Sequence, residues 1–278
     1  MQDLKHFIQL ALAEDIGTGD YTSLSTIPND QMGEAICLVK EDCIIAGVEM
    51  AKQICTIVDP HLEVNFIYKD GDYIKAPTKI GNIKGSVQSI LKLERLLLNC
   101  MQRMSAIATK TNQLVQLLAP YKTKILDTRK TTPNFRIAEK WAVKIGGGEN
   151  HRFGLYDQIL IKDNHIKAAG GIQAAIDDCA EYMQKNQLKL KVIVEVKNRE
   201  EFLIANNALI VDRILVDNYD PINLEQLLTE NIPNKPIEAS GGINALNVES
   251  YAKAGVDFVS LGDLTHHVQS IDISLKIV

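Results

Sequence analysis

Six short apolar segments between residues 124 and 262 alternate with helix-like stretches, and this rhythm constrains the fold more than any other feature of the chain. Apolar strands separated by helices are typical of a parallel sheet with helices packed on its faces. The segments are KILD (124–127), QILIK (158–162), KVIVEV (191–196), RILVD (213–217), KPIEAS (235–240) and VDFVSLG (256–262). The alternation predicts either an α/β barrel or an open, doubly wound sheet.

Polar residues or glycines stand at the end of every predicted strand, and they help to choose between the two folds. In a barrel all strand ends meet at one mouth, whereas an open sheet gathers ligands only at its switch point. No G-x-G-x-x-G motif follows the first of these strands. The strand-end residues are Asp127 with Arg129 and Lys130, Lys162 with Asp163 and Asn164, Glu195, Asp217, Ser240-Gly241-Gly242, and Gly262. The pattern favours the barrel.

The first hundred residues mix helices and strands and predict a separate domain. Helices are predicted over 4–14, 48–58 and 89–119, and strands within 33–47 and 62–91, from periodicity and turn residues. The tail IDISLKIV alternates apolar and polar residues, as a strand returning to this domain would. We therefore predict an N-terminal domain of residues 1–105 joined by 268–278, and a catalytic domain of residues 106–267.

Charge and composition limit the class of partner. The net charge is −5, the pI is about 5.7 and only 5% of residues are aromatic, so nucleic acid and anionic membranes are disfavoured as partners. Residues 122–167 nevertheless hold ten Lys or Arg against five Asp or Glu. A basic island in an acidic chain suits a small polyanionic substrate better than a polymer.

Cysteine usage and the N-terminal segment indicate a cytoplasmic protein. The five cysteines are scattered without a C-x-x-C pair, which is typical of reduced, buried thiols. The opening MQDLKHFIQLALAEDIG carries acids in an amphipathic helix pattern and lacks the layout of a signal peptide. No apolar run approaches the length of a membrane span.

The strand-end residues together form a chemically coherent set. Cations are Arg129, Lys130, Arg152, Lys162, His151 and His266; acids are Glu195 and Asp217; glycine loops are Ser240–Gly242 and Ser260–Gly262. Glycine loops after the last two strands of such a barrel commonly bind phosphate, and the acids suit ribose hydroxyls or Mg²⁺. Each feature alone also has a purely structural explanation. The acids can pair with nearby lysines, the SGG loop can be a turn, and the glycines at 146–148 can end a helix.

The segment DTRKTTPNFRIAEKWAVKIGGGENHRFGLYDQILIKDNHI resembles the central motif of the quinolinate phosphoribosyltransferase family. The segments ALAEDIGTGDYTS, LERLLLNCMQRMSAIAT, LVDN, ASGGI and GVDFVSLGDLTH follow in the family's order. The resemblance covers nearly the whole chain. It implies an α/β fold: an N-terminal α/β sandwich and an incomplete α/β barrel of six or seven strands. The implied reaction joins quinolinate to phosphoribosyl pyrophosphate (PRPP) with Mg²⁺, releases pyrophosphate and CO₂, and forms nicotinate mononucleotide for NAD synthesis.

The resemblance also implies a role for each motif residue. Those expected to bind quinolinate are Thr128, Arg129, His151, Arg152 and Lys162, with Arg95 reaching in from a partner subunit. Those expected to bind PRPP are Lys130, Glu195, Asp217, Ser240, Gly241, Gly242, Ser260, Gly262 and His266. Lys130, Lys162, Glu195 and Asp217 are the expected catalytic set, and Glu195 and Asp217 the Mg²⁺ ligands. A homodimer with shared active sites is expected, and whether dimers assemble into hexamers stays open.

One residue departs from the family pattern. A small residue is expected after Gly262, and this chain has Asp263. An acid facing a phosphate would weaken binding, and alternation along a strand would turn Asp263 away from the loop.

Three other functions stay open from the sequence. The first is a relative that uses another pyridine acceptor, such as the molybdenum-operon paralogue. The second is a Schiff-base aldolase with Lys162 as nucleophile. The third is a non-catalytic phosphate-binding protein.

Overall fold

The computed structural model describes residues 4–278, which form twelve strands and eleven helices. The strands are β1 (Met32–Val39), β2 (Cys43–Ile44), β3 (Glu63–Phe66), β4 (Tyr73–Ile74), β5 (Thr78–Ser86), β6 (Lys124–Leu126), β7 (Ile159–Ile161), β8 (Val192–Val196), β9 (Arg213–Asp217), β10 (Ile237–Ser240), β11 (Phe258–Ser260) and β12 (Ile273–Ile277). The helices are α1 (Leu4–Ile16), α2 (Tyr21–Thr26), α3 (Val48–Val58), α4 (Val87–Leu117), α5 (Arg136–Ile145), α6 (Asp163–Ala169), α7 (Ile172–Lys185), α8 (Arg199–Asn207), α9 (Pro221–Glu230), α10 (Val248–Lys253) and α11 (Asp263–His266).

The chain divides into two compact units. The first contains residues 4–112, 131–147 and 264–278, and the second contains residues 113–130 and 148–263.

The first unit is built on an antiparallel sheet with the order β12-β1-β5-β3. Alternate residues of β1 are buried, namely Ala35, Cys37 and Val39, because side chains point to opposite faces of a strand. Cys37 pairs with the buried Leu275 of β12. The C-terminal strand thus completes the apolar face of this sheet.

Helix α4 carries the apolar stripe that its sequence predicts. Leu93, Leu97, Met101, Met104 and Ile107 are all fully buried, at the three- and four-residue spacing of one helix face. Such a stripe stabilises the helix by removing apolar surface from water.

Helix α5 ends at the glycine run. Gly146 follows the last helical residue, and its N–H donates to the carbonyl of Ala142. A Cβ atom on Gly146 would collide with the carbonyl oxygen of Ala108 and lie 2.7 Å from Cβ of Thr111. The first glycine is therefore a helix stop in a crowded place, as one of the structural interpretations predicts.

The second unit is built on a six-stranded parallel sheet with the order β6-β11-β10-β9-β8-β7. From β7 to β11 the neighbours follow the chain, and β6 then lies beside β11. A doubly wound sheet would reverse direction at a switch point, whereas this cyclic order is that of an α/β barrel. The predicted α/β fold with an incomplete barrel is confirmed as a six-stranded parallel sheet, which within residues 4–278 stays open between β6 and β7.

A single bridge stands at this opening. The N–H of Glu149 donates to the carbonyl of Ile125 at 2.8 Å, and the N–H of Asp127 donates to the carbonyl of Glu149 at 3.2 Å. Because β11 pairs with one edge of β6, Glu149 lies on the edge that faces the opening. This bridge sets the following residues, 150–152, beside the strand ends.

All five cysteines are free thiols, as predicted, and four of them are buried. Burial raises the pKa of Cys37 to about 12, so this thiol stays protonated at neutral pH. Among residues 4–278 no helix has both the length and the apolar character that a membrane span requires.

Candidate active site

Five polar side chains at strand ends share one face of the parallel sheet. We call them the strand-end cluster: Lys162, Glu195, Asp217, Ser240 and Ser260. Ser240 pairs in register with Asp217, and Glu195 with Leu215, two residues before Asp217. Side chains two residues apart on a strand point to the same face, so these three agree. Lys162 comes two residues after Leu160, which pairs with Ile193, two residues before Glu195. Ser260 comes two residues after Phe258, which pairs with Glu238, two residues before Ser240. Both side chains are therefore on the same face.

The shared face is the concave inside of the sheet. The buried side chains of Leu160, Ile193 and Leu215 form an apolar cluster on it. His151 lies beyond β6, yet its ring reaches Glu238 of β10 on the far side of β11. Only a path across the inside of a curved sheet makes that contact. The strand-end cluster therefore lies at the mouth where ligands of α/β barrels bind.

Glu195 and Asp217 lie close enough to repel each other. The pKa of Glu195 is raised, first because the carboxyl group is buried and second because Asp217 is near, while Lys162 opposes the shift. Hard divalent cations bind carboxylate oxygens, so this pair of acids is a donor set that fits Mg²⁺. Hydroxyl groups of a sugar fit the same acceptors.

Lys162 begins the turn into α6, where its N–H donates to Nδ1 of His165 at 2.9 Å. The next residue, Asp163, accepts a hydrogen bond from Nζ of Lys197 at 2.9 Å. This bond, with the acids around it, raises the pKa of Lys197. Lys197 follows β8 directly and is a cation of the mouth that the sequence analysis did not single out.

Arg152 is a buried cation beside a second cation. Arg152 is only 6% exposed, and its guanidinium donates a hydrogen bond to the carbonyl of Gln158 at 3.3 Å. Burial lowers the pKa of Arg152, and the charge of Arg129 lowers it further, while Asp157 opposes both. The site thus holds positive charge that an anionic ligand would stabilise.

The loop that presents Arg152 is tied down at both ends. The N–H of His151 donates to Asp127 at 2.9 Å. On the other side, the Asp157 carboxylate accepts from the N–H groups of Phe153 and Gly154 at 2.7 and 2.8 Å. The sequence did not predict this role of Asp157, because no motif around residue 157 indicates that its carboxylate accepts hydrogen bonds from the loop backbone.

The ring of His151 contacts protein groups through both nitrogens. Nδ1 accepts a hydrogen bond from the N–H of Arg152 at 2.6 Å, and Nε2 lies 3.4 Å from Oε1 of Glu238. Its role as a ligand for quinolinate stays a prediction.

Thr128, Arg129 and Lys130 follow β6. The hydroxyl of Thr128 accepts from the N–H of Lys130 at 3.0 Å, which turns the chain sharply after the strand. Arg129 and Lys130 are exposed, so their charged groups are accessible to a ligand.

The Ser240–Gly242 loop depends on its glycines. Gly241 has a φ of 94°, in the left-handed region, and a Cβ atom there would lie 2.5 Å from Cγ of Asn218. Asn218 in turn donates to Asp217 at 2.7 Å. The carbonyl of Gly242 accepts from Nδ2 of Asn247 at 3.1 Å. Gly241 thus leaves room for the side chain that holds Asp217.

The Ser260–Gly262 loop differs from expectation at its end. Ser260 is buried, and the N–H of Leu261 donates to the carbonyl of Leu126 at 3.0 Å. β11 stops at Ser260, and Asp263 is the first residue of α11. The expectation that strand alternation turns Asp263 away is wrong, because Asp263 belongs to a helix.

Two predicted site residues, Arg95 and His266, lie in the first unit. Arg95 is exposed on α4. His266 is exposed in α11, with its ring centroid 4.4 Å from that of His267. The roles expected for both stay predictions.

Family models match both parts of the chain. The C-terminal domain of quinolinate phosphoribosyl transferase matches residues 107–276, and its N-terminal domain matches residues 20–105. The chain belongs to the quinolinate phosphoribosyl transferase family.

Relatives of known name span nearly the whole chain. A chloroplastic nicotinate-nucleotide pyrophosphorylase (carboxylating) of Arabidopsis thaliana is 44% identical over 290 residues, covering 99% of this chain and 83% of the plant protein. A probable nicotinate-nucleotide pyrophosphorylase (carboxylating) of Bacillus subtilis is 40% identical over 276 residues, covering 99% and 93%. The solved structure of nicotinate-nucleotide pyrophosphorylase from Francisella tularensis superposes with a TM-score of 0.90 at 38% identity, covering 99% of this chain and 96% of that one.

Proposed function

We propose that this chain transfers the phosphoribosyl group of PRPP to quinolinate with decarboxylation, forming nicotinate mononucleotide, pyrophosphate and CO₂ for NAD biosynthesis. The observation that carries the proposal is the buried Arg152 beside Arg129, whose charge lowers its pKa. A buried cation beside an exposed one is stabilised by a ligand with two carboxylates, which quinolinate is. Family membership over both domains supports the same reaction.

The quinolinate carboxylates are assigned to the cationic side of the mouth. Arg129 and Arg152 provide planar, bidentate donors, and Thr128, His151 and Lys162 complete this side. Arg95 is assigned to the same subsite from a partner subunit. These roles follow from the family resemblance.

The ribose 5′-phosphate part of PRPP is assigned to the opposite, β8–β11 side of the mouth. The Ser240–Gly242 and Ser260–Gly262 loops offer backbone N–H groups to the 5′-phosphate. Lys130, Lys162 and His266 are the groups assigned to the pyrophosphate. Glu195 and Asp217 are the carboxylates that would hold the ribose hydroxyls and Mg²⁺, which supplies positive charge to the phosphates when bound.

Positioning and electrostatics suffice for the displacement step. The pyridine nitrogen donates its lone pair to C1 of the ribose, and the C1–O bond breaks with its electrons leaving on pyrophosphate. Lys130 and Lys162 would stabilise the leaving charge, and Glu195 and Asp217 the positive charge that develops on the sugar. No protein base is required, because the attacking nitrogen carries no proton.

Decarboxylation follows from the product of the first step. The ring nitrogen is now positively charged, so it stabilises the electron pair that the C–CO₂ bond leaves on the adjacent ring carbon as CO₂ departs. That carbon then takes a proton from water, and nicotinate mononucleotide results. The arginines that hold the second carboxylate keep the ring oriented throughout.

One incubation tests the proposal. The protein is mixed with PRPP, Mg²⁺ and quinolinate labelled in the carboxylate next to the ring nitrogen. We expect labelled CO₂ and the mononucleotide in equal amounts. Nicotinate replaces quinolinate in the control, and preference for nicotinate would favour the other pyridine acceptors. Borohydride trapping of an adduct on Lys162 with a carbonyl substrate would instead favour the aldolase.

A further inference from the structure

Glu238 is a carboxylate inside the barrel that the proposed reaction leaves without a role. It is fully buried in β10, in register with Leu215 and Phe258, two residues before Ser240 of the mouth. Nη1 of Arg213, the first residue of β9, lies 2.9 Å from Oε2 of Glu238. The guanidinium of Arg213 also lies over the ring of Phe258, 4.2 Å from the centroid.

Stability alone does not account for this buried pair. Removing two charges from water costs several kcal/mol per ion, and apolar replacements of similar size are often as stable or more so. The surroundings of Glu238 are otherwise suited to apolar side chains, since Leu215 packs beside it in the same layer. A charged pair kept in such a place points to a role in the site above.

The pair connects to the site through one residue. Oε1 of Glu238 lies 3.4 Å from Nε2 of His151, and Nδ1 of His151 accepts the N–H of Arg152 at 2.6 Å. An accepting Nδ1 carries no proton, so the ring proton is on Nε2 and faces Glu238. Although burial would raise the pKa of Glu238, His151 and Arg213 outweigh it and lower that pKa. Glu238 is therefore an ionised acceptor.

We propose that Glu238 and Arg213 are positioning residues of the dicarboxylate subsite, which fix the orientation and tautomer of His151 and through it the backbone of Arg152. Glu238 holds the Nε2–H side of the ring, and Arg213 keeps Glu238 charged. The inference rests on the proposed function for its substrate. A misplaced Arg152 weakens the grip on quinolinate and leaves the PRPP side of the mouth intact.

The test replaces the whole ion pair. The variant Arg213→Met/Glu238→Leu removes both charges together, so neither is left buried alone, and we expect its thermal midpoint close to that of the wild type. We expect its KM for quinolinate to rise about tenfold or more, and its KM for PRPP to change less than about twofold. The separate single variant Arg213→Lys keeps a cation beside Glu238, so we expect its KM for quinolinate to stay near the wild-type value.

A purely structural role predicts a different result. It would lower the active fraction and leave both KM values unchanged, and that outcome would overturn the proposal. The shape-conserving Glu238→Gln gives a second, milder test, because its amide oxygen can still face Nε2, whereas the charge is lost and the amide NH2 replaces the acceptor of Arg213. We expect a smaller rise in the quinolinate KM than in the double variant, and no rise in either would also overturn the proposal.

A second measurement does not depend on the reaction. In the full-length protein labelled with ¹⁵N-histidine, we expect the His151 signals of the Nε2–H tautomer, and a mixture of protonation states in the double variant. If the His151 ring of the wild-type protein were protonated on Nδ1, that result would contradict the positioning role of Glu238. If the wild-type protein showed the Nε2–H tautomer but did not catalyse the quinolinate reaction, that result would instead count against the proposed function.

Discussion

At the scale of single residues, the clearest feature is a cation placed where water cannot fully solvate it. Arg152 is 6% exposed, and burial together with Arg129 lowers its pKa. Its protein partners are the Gln158 carbonyl and the nearby Asp157, which leaves net positive charge around it. A ligand carboxylate bound there, as we propose for quinolinate, would offset that charge, so we expect Arg152 to contribute to binding more than an exposed cation does.

The substitution Arg152→Lys tests this contribution. Lysine keeps the charge but loses the planar pair of donors, so we expect the KM for quinolinate to rise by about tenfold or more, equivalent to about 1.5–3 kcal/mol. Steady-state kinetics with varied quinolinate measures it. The matched control is Arg199→Lys on the exposed start of α8, for which we expect wild-type constants. Equal effects of the two variants would contradict the assignment.

Glu195 lies beside a second acid, Asp217, and the repulsion between the two carboxylates lowers the stability of the folded chain. Its pKa in the folded chain is raised by burial and by Asp217. The folded state therefore holds a proton more tightly than the unfolded state, and this contribution to stability is full below the ordinary glutamate pKa of about 4.3 and lost as pH rises through the folded value. At pH values above the folded-state pKa, the folded chain carries the repulsion between the two ionised acids.

The substitution Glu195→Gln should separate stability from activity. We expect a higher free energy of unfolding than wild type at pH 7, and a difference that shrinks toward pH 4, in urea titrations at several pH values. Turnover should fall by about 100-fold or more, because the variant lacks the acceptor that we propose for the ribose or Mg²⁺. Glu200→Gln, exposed in the first turn of α8, should leave turnover unchanged and lose only a helix-dipole contribution of about 0.3–1 kcal/mol. A less stable Glu195→Gln at pH 7 would show that the repulsion is not felt.

At the scale of elements, strands could be predicted from the sequence but their register could not. Each of the six apolar runs contains one of the six strands of the parallel sheet. Because such buried runs lack a two-residue alternation, nothing in them tells which side chains face inward. The shared face of Glu195, Asp217 and Ser240 became visible only from the pairing of neighbouring strands. Glu238 was missed for the same reason, although an acid inside an apolar run is a usable signal.

The backbone conformation of the turn after β10 positions a side chain of the neighbouring strand. Gly241 adopts a φ of 94° against Asn218, which donates to Asp217. The substitution Gly241→Ala should push Asn218 aside and release Asp217. We expect the KM for PRPP to rise by about tenfold or more, with a smaller effect on quinolinate, measured by steady-state kinetics.

Backbone strain alone needs its own control. Gly255 also has a left-handed φ, 90°, but a Cβ atom there would meet no atom within 4 Å. Gly255→Ala should therefore cost about 1–2 kcal/mol of stability without changing the KM for PRPP. If both variants raised that KM equally, strain rather than the Asn218 contact would be responsible.

At the scale of the whole molecule, the sequence predicted the kind of barrel but not how its opening is filled. Polar residues at all strand ends favoured a barrel, and the cyclic strand order agrees. The single bridge of Glu149 to Leu126 was not predictable, because it joins a loop to a strand through backbone groups that every residue has. That bridge is what brings His151 and Arg152 to the mouth.

The prediction that belongs to this scale concerns Arg95. It is exposed on α4 in the first unit, and the family resemblance assigns it to the active site of a partner subunit. Arg95→Ala and Lys162→Ala should each be inactive alone. Mixed dimers of the two should regain activity, because one of their two sites combines an intact Lys162 with an intact Arg95 from the other chain. With random exchange we expect about a quarter of wild-type activity.

The size of the recovery distinguishes the models. If Arg95 acted within its own chain, both sites of every mixed dimer would lack one residue, and activity would stay at the level of the single variants. Native mass spectrometry of the mixture shows whether mixed dimers formed, so that lack of exchange is not mistaken for lack of sharing. A mixture with Arg199→Ala in place of Arg95→Ala is the control. Since Arg199 is exposed on α8 and has no assigned role, its homodimers should be fully active without any exchange.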